Sequence, residues 1–325
     1  MVIIVARTSA PAYAYVFKGM YMHPLMETVI ERIVRLKKER NAIILAHNYT
    51  NPEIQDIADF TGDSLGLSIE ASKTDADVIV FCGVTFMGET AKILSPRKTV
   101  LLPRPDAVCD MAAMCSPEAL AQRKEELPDH TVVGYVNTTG PTKTQMDVCC
   151  TSGNALKVVR SLDSDKVLFV PDKNLGSYIA RLVPEKEIVL WNGCCPIHDS
   201  ITLEEVSELK ERYPNAYCMA HPECNESILS LMDFVGSTEA MLNRCKELDD
   251  EEFIIVTEVG MKHRLETACP GKRFHFPESA VCEPMKFITL ESIADCLENL
   301  SGQVTLSEEI IRDAYLPVKR MTEIK

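Results

Sequence analysis

A unit that returns every 86–88 residues occurs three times in this chain, and that repetition limits the available folds more than any other feature. The segments LKKERNAIILAHNY from Leu36, QRKEELPDHTVVGYVN from Gln122 and LKERYPNAYCMAHPEC from Leu209 share one pattern. Each reads as a charged helix end, a turn, and a short apolar strand closing on polar residues. His47, Tyr135 and His221 hold the matching place, 88 and 86 residues apart. TGDSLG, CTSGNA and VGSTEA follow, setting Asp63 and Ser64 beside Thr151 and Ser152 and beside Ser237 and Thr238. Gly88, Gly176 and Gly260, with Pro96, Pro184 and Pro270 behind them, form a third set. Cys109, Cys195 and Cys282 close the copies at steps of 86 and 87 residues. Recurrence of several independent markers at one period is the signature of a duplicated supersecondary unit.

Candidate strands are 42–47, 77–82 and 98–102, then 131–136, 166–170 and 187–191, then 215–220, 253–257 and 273–276. These are short apolar runs without polar alternation, as expected of parallel strands buried on both faces. Charged, helix-length segments separate them, so each copy reads strand–helix–strand–helix–strand. The expected fold class is α/β, with three pseudo-threefold-related three-layer αβα domains around a central site. The expected boundaries are an extension at 1–22, repeats at 23–108, 109–194 and 195–282, and a helical tail at 283–325. Ligands of such sheets gather beyond the carboxyl ends of the strands. The polar markers all lie there, so three related units would aim them at one place and let three distant cysteines meet.

The chain has 13 cysteines, an odd number that includes the adjacent pairs Cys149-Cys150 and Cys194-Cys195, which does not suggest a disulfide framework. The first 22 residues are apolar, but Arg7 and Lys18 are misplaced for a signal peptide, so they read as an extension without chemistry in a cytoplasmic protein. In a reducing compartment, abundant cysteine points to metal binding or catalysis. No apolar run reaches the length of a membrane span. A formal net charge of −14 makes nucleic acid and anionic membranes poor partners. Small molecules remain as partners, and anionic ones would need local positive groups.

Three thiolates meeting at a threefold axis can hold three irons of a cubane cluster. The fourth iron then lacks a protein ligand and can act as a Lewis acid. Zinc is the inorganic competitor, completed by His198 in C-x-x-H spacing from Cys195. Ser64, Ser152 and Ser237 each stand where a helix N-cap is expected. Singly they read as plain caps; recurring at one repeat position, they point to helix N-termini aimed at carboxylate or phosphate. His47, Tyr49, Tyr135, Asn137, His221 and Glu223 end the first strand of their copies and together read as pocket walls. His47 and His221 could bind anions or shuttle protons, with Glu223 and Tyr49 as general base and acid.

The segments AHNY, GDS, FMGETAKIL, GYVNTT, TSGNA, HPEC, GST and ESAVCEPMKFITL, with the three cysteines, resemble the quinolinate synthase A family from about Met26 to Leu300. The resemblance implies one [4Fe–4S] cluster per chain on Cys109, Cys195 and Cys282. It implies condensation of iminoaspartate with dihydroxyacetone phosphate to quinolinate, with loss of phosphate and two waters, for NAD biosynthesis. It places substrate contacts on His47, Tyr49, Ser64, Tyr135, Asn137, Ser152, His198, His221, Glu223, Ser237 and Thr238, with Glu223, Tyr49, Tyr135 and His221 as the catalytic set. An iminoaspartate-producing aspartate oxidase or dehydrogenase is the implied partner. Some family members carry a C-x-x-C-x-x-C run around the last ligand; here Cys269 is 13 positions before Cys282, so a redox disulfide switch of that kind is not supported. Two rival readings stay open: another [4Fe–4S] hydro-lyase acting on a hydroxy acid, and a non-catalytic iron–sulfur protein.

Overall fold

A computed structural model describes residues 27–324, so the extension expected at 1–22 lies outside the described residues. Three parallel four-stranded sheets follow one another along the chain. The first holds β1 (Ala42–His47), β2 (Phe60–Gly62), β3 (Val78–Cys82) and β4 (Thr99–Leu101) in the order β2-β1-β3-β4. The second holds β5 (Thr131–Tyr135), β6 (Val148–Cys150), β7 (Lys166–Val170) and β8 (Glu187–Leu190) in the order β6-β5-β7-β8. The third holds β9 (Tyr217–Ala220), β10 (Phe234–Val235), β11 (Glu252–Val256) and β12 (Arg273–His275) in the order β10-β9-β11-β12. Helices alternate with the strands, so each unit is α/β, as the apolar runs require. No helix of the described residues is long and apolar enough to cross a membrane.

Each sheet has one strand more than the sequence pattern predicts. The edge strands β2, β6 and β10 are two or three residues long, too short for any periodicity to announce them. Their register nevertheless fixes the equivalences between copies. His47 pairs with Gly62, Tyr135 with Cys150 and Ala220 with Val235, which sets His221 opposite Gly236. Asp63, Thr151 and Ser237 are therefore equivalent, and Ser64, Ser152 and Thr238 form the next set. The expected grouping of Ser64 and Ser152 with Ser237 is off by one residue in the third copy.

The caps differ from expectation for the same reason. Asp63 caps the helix Ser64–Lys73, accepting from the Gly66 N–H at 2.8 Å, and Ser237 caps Thr238–Glu247. Ser152 precedes the helix Ala155–Arg160, whose N-cap is Asn154. The glycine triplet also fails to hold. Gly88 and Gly176 are the fourth residues of Thr85–Leu94 and Lys173–Leu182, where an added Cβ would stand 2.9 Å from Leu102 Cδ2 and 2.5 Å from Leu190 Cδ2. Gly260 sits ahead of its helix, Met261–Ala268, where a Cβ would stand 2.7 Å from the Tyr49 carbonyl oxygen. Two glycines thus let a helix approach its strand, and the third lets the first and third copies approach each other.

The first two sheets share one hydrophobic core, in which Ile79 and Phe81 join Val132, Phe169 and Val318. The helix Glu308–Glu323 completes it, burying Ala314, Val318 and Met321, while Asn154 Nδ2 donates to the Met321 and Ile324 carbonyls at 2.8 Å. The helix Leu290–Asn299 joins Val29–Glu39 over the other face of the first sheet, burying Ile293 and Leu297 with Ile33 and Leu36. The third sheet keeps separate cores on its two faces.

The close approach at Gly176 generates a prediction. Gly176→Ala should cost about 1–3 kcal/mol of overpacking, seen as a lower Tm. Leu190→Ala in the same chain should recover part of that loss, because it removes the atom the new methyl meets. Thermal melts in which the two effects simply add would place the strain elsewhere.

Candidate metal and substrate site

The carboxyl ends of the central strands open on one cavity, whose wall includes thirteen of the fourteen residues singled out in the sequence. The first copy supplies His47, Tyr49, Ser64 and Cys109, the second Tyr135, Asn137, Ser152 and Cys195, and the third His221, Glu223, Thr238 and Cys282, with His198 beside Cys195. Ser237 is the exception: its Oγ accepts from the Ala240 N–H at 3.3 Å as a helix cap, and Thr238 takes the wall position.

One backbone contact, made three times, sets the cysteines. The amides of Thr85, Lys173 and Val259 donate to the carbonyls of Ala107, Gly193 and Ala280 at 2.9, 2.7 and 2.9 Å. Each acceptor lies two residues before a cysteine, and each donor opens the segment leaving β3, β7 or β11. Cys109, Cys195 and Cys282 then cap the short helices Asp110–Ala113, Pro196–Ser200 and Glu283–Lys286 in extended backbone conformations.

A second contact is made only twice. Asp172 Oδ2 accepts from the Cys195 N–H at 3.2 Å and Glu258 Oε1 from the Cys282 N–H at 3.1 Å. The equivalent residue of the first copy is Val84, which has no acceptor. Glu258 is itself paired with Lys286 at 2.8 Å, and that ammonium also donates to the Tyr49 carbonyl at 2.6 Å.

All thirteen cysteines are free. Burial pushes the Cys109 and Cys282 thiols up to about 12 and 11, and burial followed by the Glu223 charge also raises Cys195 well above an ordinary thiol. Three thiols that burial keeps protonated, gathered from three copies into one cavity, suit a metal group that displaces their protons. This donor set fits a cluster held by three cysteines. Cys194 is outside the cavity wall, where burial and then Asp199 raise its thiol.

A hydrogen-bond chain crosses the same cavity. Tyr49 Oη meets Thr257 Oγ1 at 2.7 Å, and Thr257 Oγ1 meets His198 Nε2 at 2.9 Å. His198 Nδ1 lies 2.8 Å from Glu223 Oε2, and the Tyr135 hydroxyl donates to Glu223 Oε1. His221 Nε2 meets Ser152 Oγ at 3.1 Å. Residues of all three copies are therefore joined around one carboxylate.

The chain matches the family model described as quinolinate synthetase A protein over residues 31–323. It is 51% identical over 302 residues to the quinolinate synthase of Sulfurihydrogenibium sp. (strain YO3AOP1), covering 91% of this chain and 98% of the relative. Identity to the quinolinate synthase of Aquifex aeolicus (strain VF5) is 47%, with 90% and 93% covered. For quinolinate synthase 1 of Methanosarcina acetivorans it is 49%, with 91% and 98% covered. The chain belongs to the quinolinate synthetase A family.

Electrostatics in this family member depart from one expectation. Burial pushes the His47 imidazole down to about 3, helped by His221, and pushes His221 down to about 4 against the pull of Glu223. Both are neutral near pH 7, so burial alone leaves neither with positive charge to offer an anion; they are neutral hydrogen-bonding groups. Burial alone would raise the Glu223 carboxyl, but His221, His198 and the Tyr135 hydroxyl overcome it and hold the group below its usual range. Burial, then the Glu223 charge, raises Tyr49 and Tyr135 well above an ordinary phenol.

Sequence reasoning missed Thr257, Asp172 and Glu258, all fully buried. Polar residues just past a fully apolar strand were the available signal, in IIVTE for two of them. Lys286, in the tail, gave none.

The neutral histidine generates a pH prediction. An unfolded histidine takes a proton near pH 6.5, whereas folded His47 does so only near 3. Between those values the unfolded state holds the extra proton, so stability present above pH 6.5 is lost as the pH falls. Asp172, pushed up to about 8 by burial and Glu223, acts in the opposite sense. The readout is therefore a difference: the Tm advantage of wild type over His47→Asn should shrink from pH 7 to pH 4. A constant difference would mean that His47 takes up its proton at the same pH in the folded and unfolded chain.

Proposed function

We propose that this chain forms quinolinate from iminoaspartate and dihydroxyacetone phosphate, losing phosphate and two waters, with a [4Fe–4S] cluster on Cys109, Cys195 and Cys282. The observation that carries the reading is the meeting, in one cavity, of three free thiols from three copies with a hydrogen-bonded carboxylate base. The names of the relatives support the same product. When bound, the cluster would supply a Lewis-acid iron for the departure of hydroxide.

The chain's own residues account for binding and proton transfer. Asn137 Oδ1 is buried without a hydrogen-bond partner, as befits a group reserved for a ligand. The hydroxyls of Ser64, Ser152 and Thr238 surround the cavity at one repeat position, and Ser64 and Thr238 open helices of ten residues. Helix N-termini with hydroxyl and imidazole donors suit carboxylates and phosphate. An arriving dianion raises the proton affinity of His47 and His221, so positive charge can develop beside the leaving phosphate. Glu223 accepts a proton during ring closure, and its basicity rises when Tyr135 turns its hydroxyl to substrate. Tyr49 and Tyr135, both protonated phenols, return protons to leaving oxygens. Reactants and products balance without net electron transfer. The reading places the chain in cytoplasmic de novo NAD biosynthesis, downstream of an aspartate oxidase or dehydrogenase that makes iminoaspartate.

Anaerobic purification with iron and sulfide counts, followed by assay of phosphate and quinolinate release, tests the whole reading. Phosphate retention with turnover of a hydroxy acid would favour a different hydro-lyase. Cys109→Ala, Cys195→Ala and Cys282→Ala should each abolish the brown chromophore, while Cys194→Ala keeps it. If Cys194 is required and Cys195 is not, the assignment within that pair is wrong.

Glu223→Gln keeps shape but cannot accept the proton. Turnover should fall by about 10²–10⁴-fold with the cluster spectrum unchanged. Near-normal quinolinate formation would pass the base role to Tyr49.

A further inference from the structure

Three donor atoms of different chemistry converge on one wall of the cavity. Cys195 Sγ, His198 Nδ1 and a Glu223 carboxylate oxygen all lie within 4.8 Å of one another. The sulfur–nitrogen distance is 3.3 Å and the nitrogen–oxygen distance 2.8 Å. We propose that Cys195, His198 and Glu223 form a mononuclear site for a borderline divalent cation such as Zn²⁺, which competes with the cluster because it takes Cys195.

Thiolate, imidazole and carboxylate together suit such a cation, with a fourth position open to water. Donor atoms of a tetrahedral site stand roughly 3.3–3.6 Å apart, so the sulfur–nitrogen pair is already spaced and the nitrogen–oxygen pair must open by about 0.5 Å. The supporting groups are in place. His198 Nε2 bonds Thr257 Oγ1, and with the ring proton on Nε2 the Nδ1 lone pair is free to ligate. The other Glu223 oxygen is held by the Tyr135 hydroxyl, and the Cys195 amide is held by Asp172. His198 and Glu223 are buried, at 2% and 3% exposure. The local helix explains the pairing: Cys195 caps Pro196–Ser200 and His198 is its third residue.

Charge also balances. Binding releases the thiol proton, and a carboxylate and a neutral imidazole complete the donor set. A dication with one thiolate and one carboxylate is neutral, which suits a buried site. Such an ion would withdraw both a cluster ligand and the proposed base, so the loaded chain would be inactive.

Co²⁺ binding to the full-length, cluster-free chain tests this under anaerobic conditions. One equivalent should give tetrahedral visible bands and a thiolate charge-transfer band. His198→Ala and Glu223→Gln should each weaken binding about tenfold or more, whereas Cys109→Ala and Cys282→Ala should leave it intact. Circular dichroism on each variant separates lost ligation from lost fold, and the isosteric Glu223→Gln stands if His198→Ala does not fold. Loss of Co²⁺ binding in Cys109→Ala and Cys282→Ala would place the ion among the three thiols and overturn the proposal, as would the absence of a thiolate band. A second arm rests on the proposed cluster: Zn²⁺-loaded chain should resist cluster reconstitution until a chelator is added. If wild type never takes up a cluster, that reading fails while the Co²⁺ result still decides this one. Reconstitution unaffected by Zn²⁺ would overturn the competition.

Discussion

The amides of Thr85, Lys173 and Val259, each bonded to the carbonyl two residues before a cysteine, are the contacts on which the site depends. They tie the end of a buried central strand to a loop that has no regular structure of its own. Backbone hydrogen bonds of this kind do not vary with side chain, so they survive divergence between copies. The strands fix the donors, the donors fix the loops, and the loops bring three thiols to one cavity.

On that shared frame the copies have diverged into different chemistry. The positions held by His47, Tyr135 and His221 are two imidazoles and a phenol; those of Tyr49, Asn137 and Glu223 are a phenol, an amide and a carboxylate. Among these six positions only Glu223 carries a carboxylate, set among hydrogen-bonding groups from the other copies. Asp172 and Glu258 extend the same logic behind the cysteines, while Val84 offers the Cys109 amide no carboxylate and the Thr85 hydroxyl instead donates to the Pro105 and Ala107 carbonyls of that loop. Symmetry builds the cavity, and its breaking gives each wall a task.

The acidity of the chain shapes how an anion could be held. With Asp63, Glu223 and Glu258 on its wall and a net charge of −14 overall, the cavity lacks a surplus of fixed cations. Lys286 is engaged with Glu258 and the Tyr49 carbonyl. Lys143 is fully buried, donates to the Thr138 carbonyl and is pushed down to about 8 by burial. What faces the cavity is mostly neutral: hydroxyls, an amide and two imidazoles that burial keeps uncharged. Neutral donors avoid the desolvation cost of a buried cation and, under the proposed function, gain charge only when an anion arrives.

Much of this could be read from the chain alone, because duplication repeats a signal until it stands above chance. Nine of the twelve strands were legible as apolar runs, most clearly the six central ones, which are buried on both faces and have little polar sequence to interrupt them. The cysteines and most cavity residues were legible because they recur at the ends of those runs. What the repeat period could not supply was register finer than a residue or two. It put Ser237 where Thr238 stands and set Gly260 beside Gly88 and Gly176, because spacing between copies drifts while hydrogen-bond pairing does not. Nor could it show Thr257 between Tyr49 and His198, or Lys286 reaching from the tail, or the neutral state of His47. Those depend on distances between residues far apart in sequence and on exclusion of water, which exist only once the three sheets and the tail have packed.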